Sequence, residues 1–137
     1  MKRRFLGIAA IACGCALLAA PVFAHHSVAS EFDTRNCRDF TGTLTSVSWE
    51  NPHMHFNLDI KDASGKVESW TFQGYSTLTM TRAGSPRQDF MENMGKEVWV
   101  RGCLARSGST HKAAAGTLKF SDGRLRQVGQ LQDTGDR

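Results

Sequence analysis

Proline is scarce in this 137-residue chain, at 3 residues, and tyrosine occurs once. With only 13 glycines beside those prolines, a collagen-like or proline-rich low-complexity chain is excluded. There is no Cys-x-x-C pair, so thioredoxin-type redox chemistry has no footing. There is no glycine-rich phosphate loop and no nucleophile elbow. The longest apolar run, from Phe5 to Ala20, is too short and wrongly flanked for a stable membrane anchor. The length suits one domain of about 100–150 residues and leaves no room for a two-domain enzyme.

A strong charge of one sign is also missing. The formal charge is +4, from 17 basic and 13 acidic residues. Lys2, Arg3 and Arg4 contribute three of those positive charges, ahead of the apolar run. Without them 14 basic residues face 13 acidic ones. A near-neutral domain has little long-range field to draw nucleic acid or an anionic membrane, so neither is expected as a partner.

What is present begins with residues 1–24. A basic start, a short apolar stretch and the ending Pro21-Val22-Phe23-Ala24 form a secretory signal peptide. Cleavage is predicted after Ala24, with Val22 at −3. Arg3-Arg4-Phe5-Leu6 only faintly echoes a twin-arginine signal, one residue short. Ala10-Ile11-Ala12-Cys13 only faintly echoes a lipoprotein box, because the apolar run continues past Cys13. The mature chain is therefore expected in the periplasm.

Cys13 and Cys15 leave with the signal, and Cys37 and Cys103 remain. In an oxidising compartment the simplest reading of such a pair is one disulfide; two buried free thiols are the alternative. A loop of this length, about 65 residues, is worth roughly 4 kcal/mol in the chain-entropy account.

Hydrophobic alternation organises the rest. Residues 25–39 are polar and read as an irregular N-terminal arm. Phe40, Gly42 and Leu44 share one face and Val47 with Trp49 the other, a phase slip that predicts a long strand with a bulge. Met54, Phe56, Leu58 and Ile60 alternate with His53, His55, Asn57 and Asp59, giving one buried and one wet face. Asp62-Ala63-Ser64-Gly65 turns the chain into a strand over 66–73, with Trp70 and Phe72 inward. Residues 76–94 lose the period of two and carry one or two helical turns, stopped at Gly95. A strand over 97–105, another over 113–120 and a hairpin at Asp122-Gly123 complete a domain spanning 40–128. Residues 129–137 form a tail. The element order predicts an all-β fold with a short helical insert: a small OB-fold-like five-stranded Greek-key barrel. A small open β-sandwich is the alternative.

Several motifs now stand together: His25-His26-Ser27, Phe40-Thr41-Gly42-Thr43, Trp49-Glu50-Asn51-Pro52-His53, Asp59 through Lys66, and Gly95-Lys96-Glu97-Val98. The series resembles a family of small exported bacterial proteins known as a domain of unknown function, across residues 25–128. The resemblance implies periplasmic location and a small β-barrel, and supplies no activity or cofactor. This chain departs from the pattern at His55, where an aromatic residue is usual, and at Ser85-Pro86, where a Trp is usual.

Cleavage after Ala24 would create the sharpest chemical feature. The new α-amine and the imidazole of His25 can chelate one ion, an arrangement that resembles the histidine brace of certain copper proteins. His26 offers a competing mode through amine, intervening amide and imidazole. Nitrogen donors of this kind suit Cu(II) best among divalent metals. His53 and His55, two apart on a wet strand face, can complete a site, with His53 the favoured member. The plainer reading is of solvated histidines, with Asn51 and Pro52 shaping a turn that His53 pins. Trp49, Trp70 and Trp99 can line a ligand platform, but Trp70 suits the core and Trp99 suits a place under the arm. Met80, Met91 and Met94 fit core filling better than a Cu(I) site. Ser27, His26 and Asp33 lack an oxyanion context, and Asp59 with Glu68 lacks a cleft.

Together these residues describe a periplasmic binding or accessory protein, not an enzyme, whose metal residues are His25, His26, His53 and His55 and whose cofactor is copper. The competing class is a metal-free interaction module for a small ligand or protein partner. A copper-dependent redox enzyme is the third reading.

Overall fold

The computed structural model describes residues 28–106 and 108–130. The expected signal segment 1–24, His25, His26 and most of the expected tail lie outside them. Among the described residues no helix is long and apolar enough to cross a membrane.

The described residues open with one helical turn, α1 (Val28–Glu31), which passes directly into a long strand, β1 (Phe32–Ser48). Four strands and a short strand follow: β2 (His55–Lys61), β3 (Val67–Gln73), β4 (Glu97–Ala105), β5 (Lys112–Lys119) and β6 (Leu125–Gln127). Two short helices, α2 (Thr77–Arg82) and α3 (Arg87–Glu92), lie between β3 and β4. The sheet order is β3-β2-β1-β4-β5-β6. A parallel pairing of β3 with β5 at Thr71–Gln73 joins the two ends, so five strands form a closed ring. That closure favours the OB-fold-like order over an open sandwich.

The ring is filled by alternating side chains. Phe56, Leu58, Phe72, Val100 and Leu118 are fully buried. Phe56 and Phe72 stack at 5.3 Å, and Phe90 of α3 closes against Phe56, Phe120 and Trp49 at 5.8, 5.3 and 5.9 Å. The expected bulge lies between Leu44 and Ser46, and it returns Val47 and Trp49 to the core. Asp62 Oδ1 accepts the Ser64 hydroxyl at 2.6 Å and the N–H groups of Ser64 and Lys66, and Gly65 takes φ 85°, which closes the β2–β3 turn.

Four expectations need correction. The arm expected over 25–39 is strand from Phe32 onward, and Phe32 is fully buried. Alternation is invisible there because the register with β4 slips between Phe32 and Cys37, leaving Thr34, Arg35 and Asn36 exposed. Trp99 does not lie under the arm. It sits across from Lys119, whose ammonium is 6.0 Å from its ring, while the arm covers Cys103 further along β4. Met91 is exposed, whereas Met80 is buried and Met94 half-buried. Packing also continues to Gly129, which is buried and donates to the Gly116 carbonyl.

Gly42 lies between β2 and β4 where a side chain has no room. A Cβ there would stand 2.6 Å from the Asp59 carbonyl oxygen and 2.8 Å from Ile60 Cγ1. Gly42→Ala is therefore expected to cost about 1–3 kcal/mol through forced displacement of the β1–β2 backbone. Chemical denaturation checks this; an unchanged midpoint would mean the strands separate freely there.

Candidate functional site

One row of paired residues crosses the ring. His55 on β2 pairs with Gln73 on β3, Gln73 with Ala114 on β5, Ala114 with Cys103 on β4, and Cys103 with Cys37 on β1. Paired residues share a face, and this row lies on the outer one, because the neighbours Phe56, Phe72 and Ala113 point into the core. At one end of the row Cys37 and Cys103 form the expected disulfide, joining positions 66 residues apart.

The arm lies over this row. Phe32, Cys103 and Ala114 form a small buried cluster on which Val28 and Cys37 pack. Glu31 pairs with Lys112 of β5, whose ammonium also stands 5.5 Å from the Phe32 ring. Arg106 Nε donates to the carbonyls of Ala29 and Phe32 at 3.0 and 3.1 Å. The first described residue, Val28, thus rests on the cluster of Phe32, Cys103 and Ala114.

His53 lies just before β2 and His55 opens it, and both are half-buried. His53 Nδ1 stands 3.2 Å from the Gly74 carbonyl oxygen. A carbonyl only accepts, so Nδ1 carries the proton and Nε2 of the neutral ring keeps its lone pair. Metal-ligating histidines are commonly oriented this way. The same bond pins the turn, as the plainer reading expects. Asn51 does not bond its own backbone. Its Oδ1 accepts from the N–H and hydroxyl of Thr77 at 3.2 and 3.0 Å, tying the β1–β2 connection to the start of α2. The His55 imidazole makes no hydrogen bond among the described residues. Among the described residues no group of three or more His, Cys, Asp or Glu is arranged to hold a metal ion.

The model of a family of unknown function, DUF6152, matches residues 13–114. The chain belongs to that family. The matched span contains the whole row from Cys37 to Ala114. No curated protein and no solved structure matches the chain. Family membership thus brings no activity with it, and the chemistry must be argued from the side chains.

Two clusters escape a reading of sequence alone. His111 adopts φ 64° just before β5, and its Nε2 donates to Glu68 Oε2 at 2.9 Å while its ring meets Trp70 edge-on at 5.0 Å. Arg38 stacks over Phe40 and Trp70 at 4.9 and 5.2 Å. Trp70 is thus in contact with both His111 and Arg38. The outer face of β2 and β3 carries His55, Asn57, Asp59, Ser69, Thr71 and Gln73, with no aromatic platform. At the far end of the ring Asp89 of α3 is nearly buried and accepts from Arg124 at 2.7 Å and Arg126 at 2.9 Å. Asn93 donates to the Asp89 carbonyl and accepts from Ser121, so this cluster fastens α3 to the β5–β6 hairpin. It has its partners within the fold and serves packing.

Three surface carboxylates are held below their ordinary range. The Lys66 ammonium, and then His111, lower Glu68. The Ser64 hydroxyl lowers Asp62, and the Arg124 backbone N–H and guanidinium lower Asp122. A lowered carboxylate binds its proton more weakly folded than unfolded. Its contribution is present above the unfolded values of 4.5 for Glu and 3.8 for Asp and is lost as pH falls through the folded ones. The thermal midpoint is therefore expected to decline as pH drops below about 4.5, and Glu68→Gln should flatten the upper part of that decline. Scanning calorimetry across pH 3 to 6 checks it; an identical profile in the variant would contradict the Glu68 assignment.

Proposed function

We propose that the protein is exported, processed to begin at His25, and captures a transition metal, copper foremost, through the nitrogens of its new N-terminus. It acts as a periplasmic binding protein and not as an enzyme. The amine and imidazole of His25 form one chelating pair, and the His26 imidazole offers a second mode. Export is supported by the pattern of residues 1–24 and by the Cys37–Cys103 disulfide, which belongs in an oxidising compartment.

One observation carries the reading: the chain is fastened to the ring three residues after His25. Val28 packs on the cluster of Phe32, Cys103 and Ala114, Glu31 pairs with Lys112, Phe32 is buried and Cys37 is cross-linked. Histidines on a long free tail would lose much of their binding energy to ordering, whereas a short tether reduces that cost.

A Cu(II) titration of the processed chain tests the proposal. One tight equivalent is expected at neutral pH. It should weaken as pH falls through the imidazole range, because protons compete for the donor nitrogens. Weak binding without a defined stoichiometry would overturn it and favour the metal-free interaction module.

A further inference from the structure

We propose that the end of the ring at Trp70 binds a small organic carboxylate, with the Arg38 guanidinium as its anchor. The inference goes beyond the metal reading above and does not rest on it.

Trp70 stands two residues before the buried Phe72 on β3, and Arg38 two residues before the buried Phe40 on β1. Both therefore leave their strands on the core-facing side, one step outward from the packed layer. Ring contacts agree, because Trp70 meets Phe40 at 4.8 Å and Phe72 at 6.5 Å. The Thr71 N–H donates to the His111 carbonyl at 2.9 Å, which brings the start of β5 alongside. The His111 ring then closes on the indole edge-on at 5.0 Å. His111 holds φ 64° there, an uncommon conformation for a residue with a Cβ, so its surroundings fix it against Trp70. The packed layer ends here: Phe40 is buried, Trp70 half-buried and Arg38 exposed.

Arg38 is the group without a counterpart. Its guanidinium carbon lies 4.9 Å from the Phe40 ring centroid and 5.2 Å from that of Trp70. A guanidinium held over ring faces keeps its five N–H donors, which lie in its own plane. Among the described residues no hydrogen bond or ion pair engages them. The carboxylates at neighbouring positions are already paired. Asp39 points to the other face of β1 and accepts from Arg101 at 2.9 Å. Glu68 accepts from Lys66 at 3.1 Å and from His111 at 2.9 Å. Lys66 offsets Glu68, so the charge of Arg38 is left over at this end of the ring. A planar carboxylate matches such a fork through two parallel N–H···O bonds. One surplus positive charge suits a monoanion, and Glu68 repels a second negative charge. The half-buried indole offers apolar surface beside the fork for the carbon body of the ligand.

The test is a nuclear magnetic resonance titration read at the indole N–H signals of Trp49, Trp70 and Trp99 and at the Arg38 guanidinium. The probes are benzoate, its neutral isostere benzamide, and inorganic phosphate. Benzoate should shift the Trp70 and Arg38 signals to saturation and leave Trp49 and Trp99 in place, and benzamide should shift none of them. Arg38→Gln should weaken benzoate binding by roughly tenfold or more, the scale of hydrogen bonds to a charged group. Arg38→Lys keeps the charge without the fork and should weaken it by a smaller factor. Arg101→Gln, on the other face, should leave it unchanged. Melting checks that each variant keeps the fold, and Arg38→Lys carries the comparison if Arg38→Gln melts early. Equal shifts with benzamide would mean that the indole and not the fork holds the probe, and would overturn the proposal. Phosphate bound as tightly as benzoate would overturn the assignment to a carboxylate. Shifts that never saturate, or undiminished affinity in both Arg38 variants, would overturn the site itself.

Discussion

A chain that keeps one extra residue before His25 is expected to bind Cu(II) roughly 10²-fold more weakly than the processed chain, the scale on which linking two donors raises affinity. The added residue acylates the His25 nitrogen and carries the free amine away from the imidazoles. Both chelating modes use that amine, so both lose their anchor. A site made only of His53 and His55 would not register the change, because both lie within the ring. Solvated histidines without an organised site would bind weakly in both forms. A competitive titration of the processed form against a form retaining an added Met makes the comparison, and equal affinities would leave the metal-free interaction module as the better account.

The second large effect concerns the disulfide. Replacing Cys37 and Cys103 together by Ala is expected to cost roughly 4 kcal/mol, the loop-closure value for a link of this span. The two ends are 66 residues apart in sequence and lie on neighbouring strands, so the unfolded chain gains a great deal of freedom when the link is cut. Cys103 is also fully buried beside Phe32 and Ala114, and losing its sulfur loosens the cluster that holds the arm. For a domain of this size the thermal midpoint should fall by roughly 15 °C or more. Copper affinity should fall with it, because the arm then tethers the N-terminus less firmly. An unchanged midpoint in the double variant would mean that the arm is held by Phe32 and the Glu31–Lys112 pair alone.

Much of the ring can be read from the sequence wherever one face of a strand is buried and the other wet. Met54, Phe56, Leu58 and Ile60 declare β2, Val98 and Val100 declare β4, and Asp62 through Gly65 declares the turn between β2 and β3. Legibility fails where pairing lacks alternation. Phe32 is as buried as Phe56, yet a slipped register surrounds it with polar residues and hides the start of β1. It fails again where the partner is distant in sequence. Glu68 and His111 meet only because β3 and β5 run parallel and close the ring, which no local pattern announces. Asp89 looks like an ordinary helix carboxylate until the β5–β6 hairpin brings Arg124 and Arg126 to it. Of the site residues, the Cys37–Cys103 bond follows from composition and compartment.

The most direct measurement is the metal content of the protein recovered after native export. The account predicts a chain whose intact mass begins at His25, carrying about one copper per chain, and losing it when one residue is inserted between Ala24 and His25 with cleavage kept at Ala24. A correctly processed chain recovered without copper from copper-replete cells would contradict it.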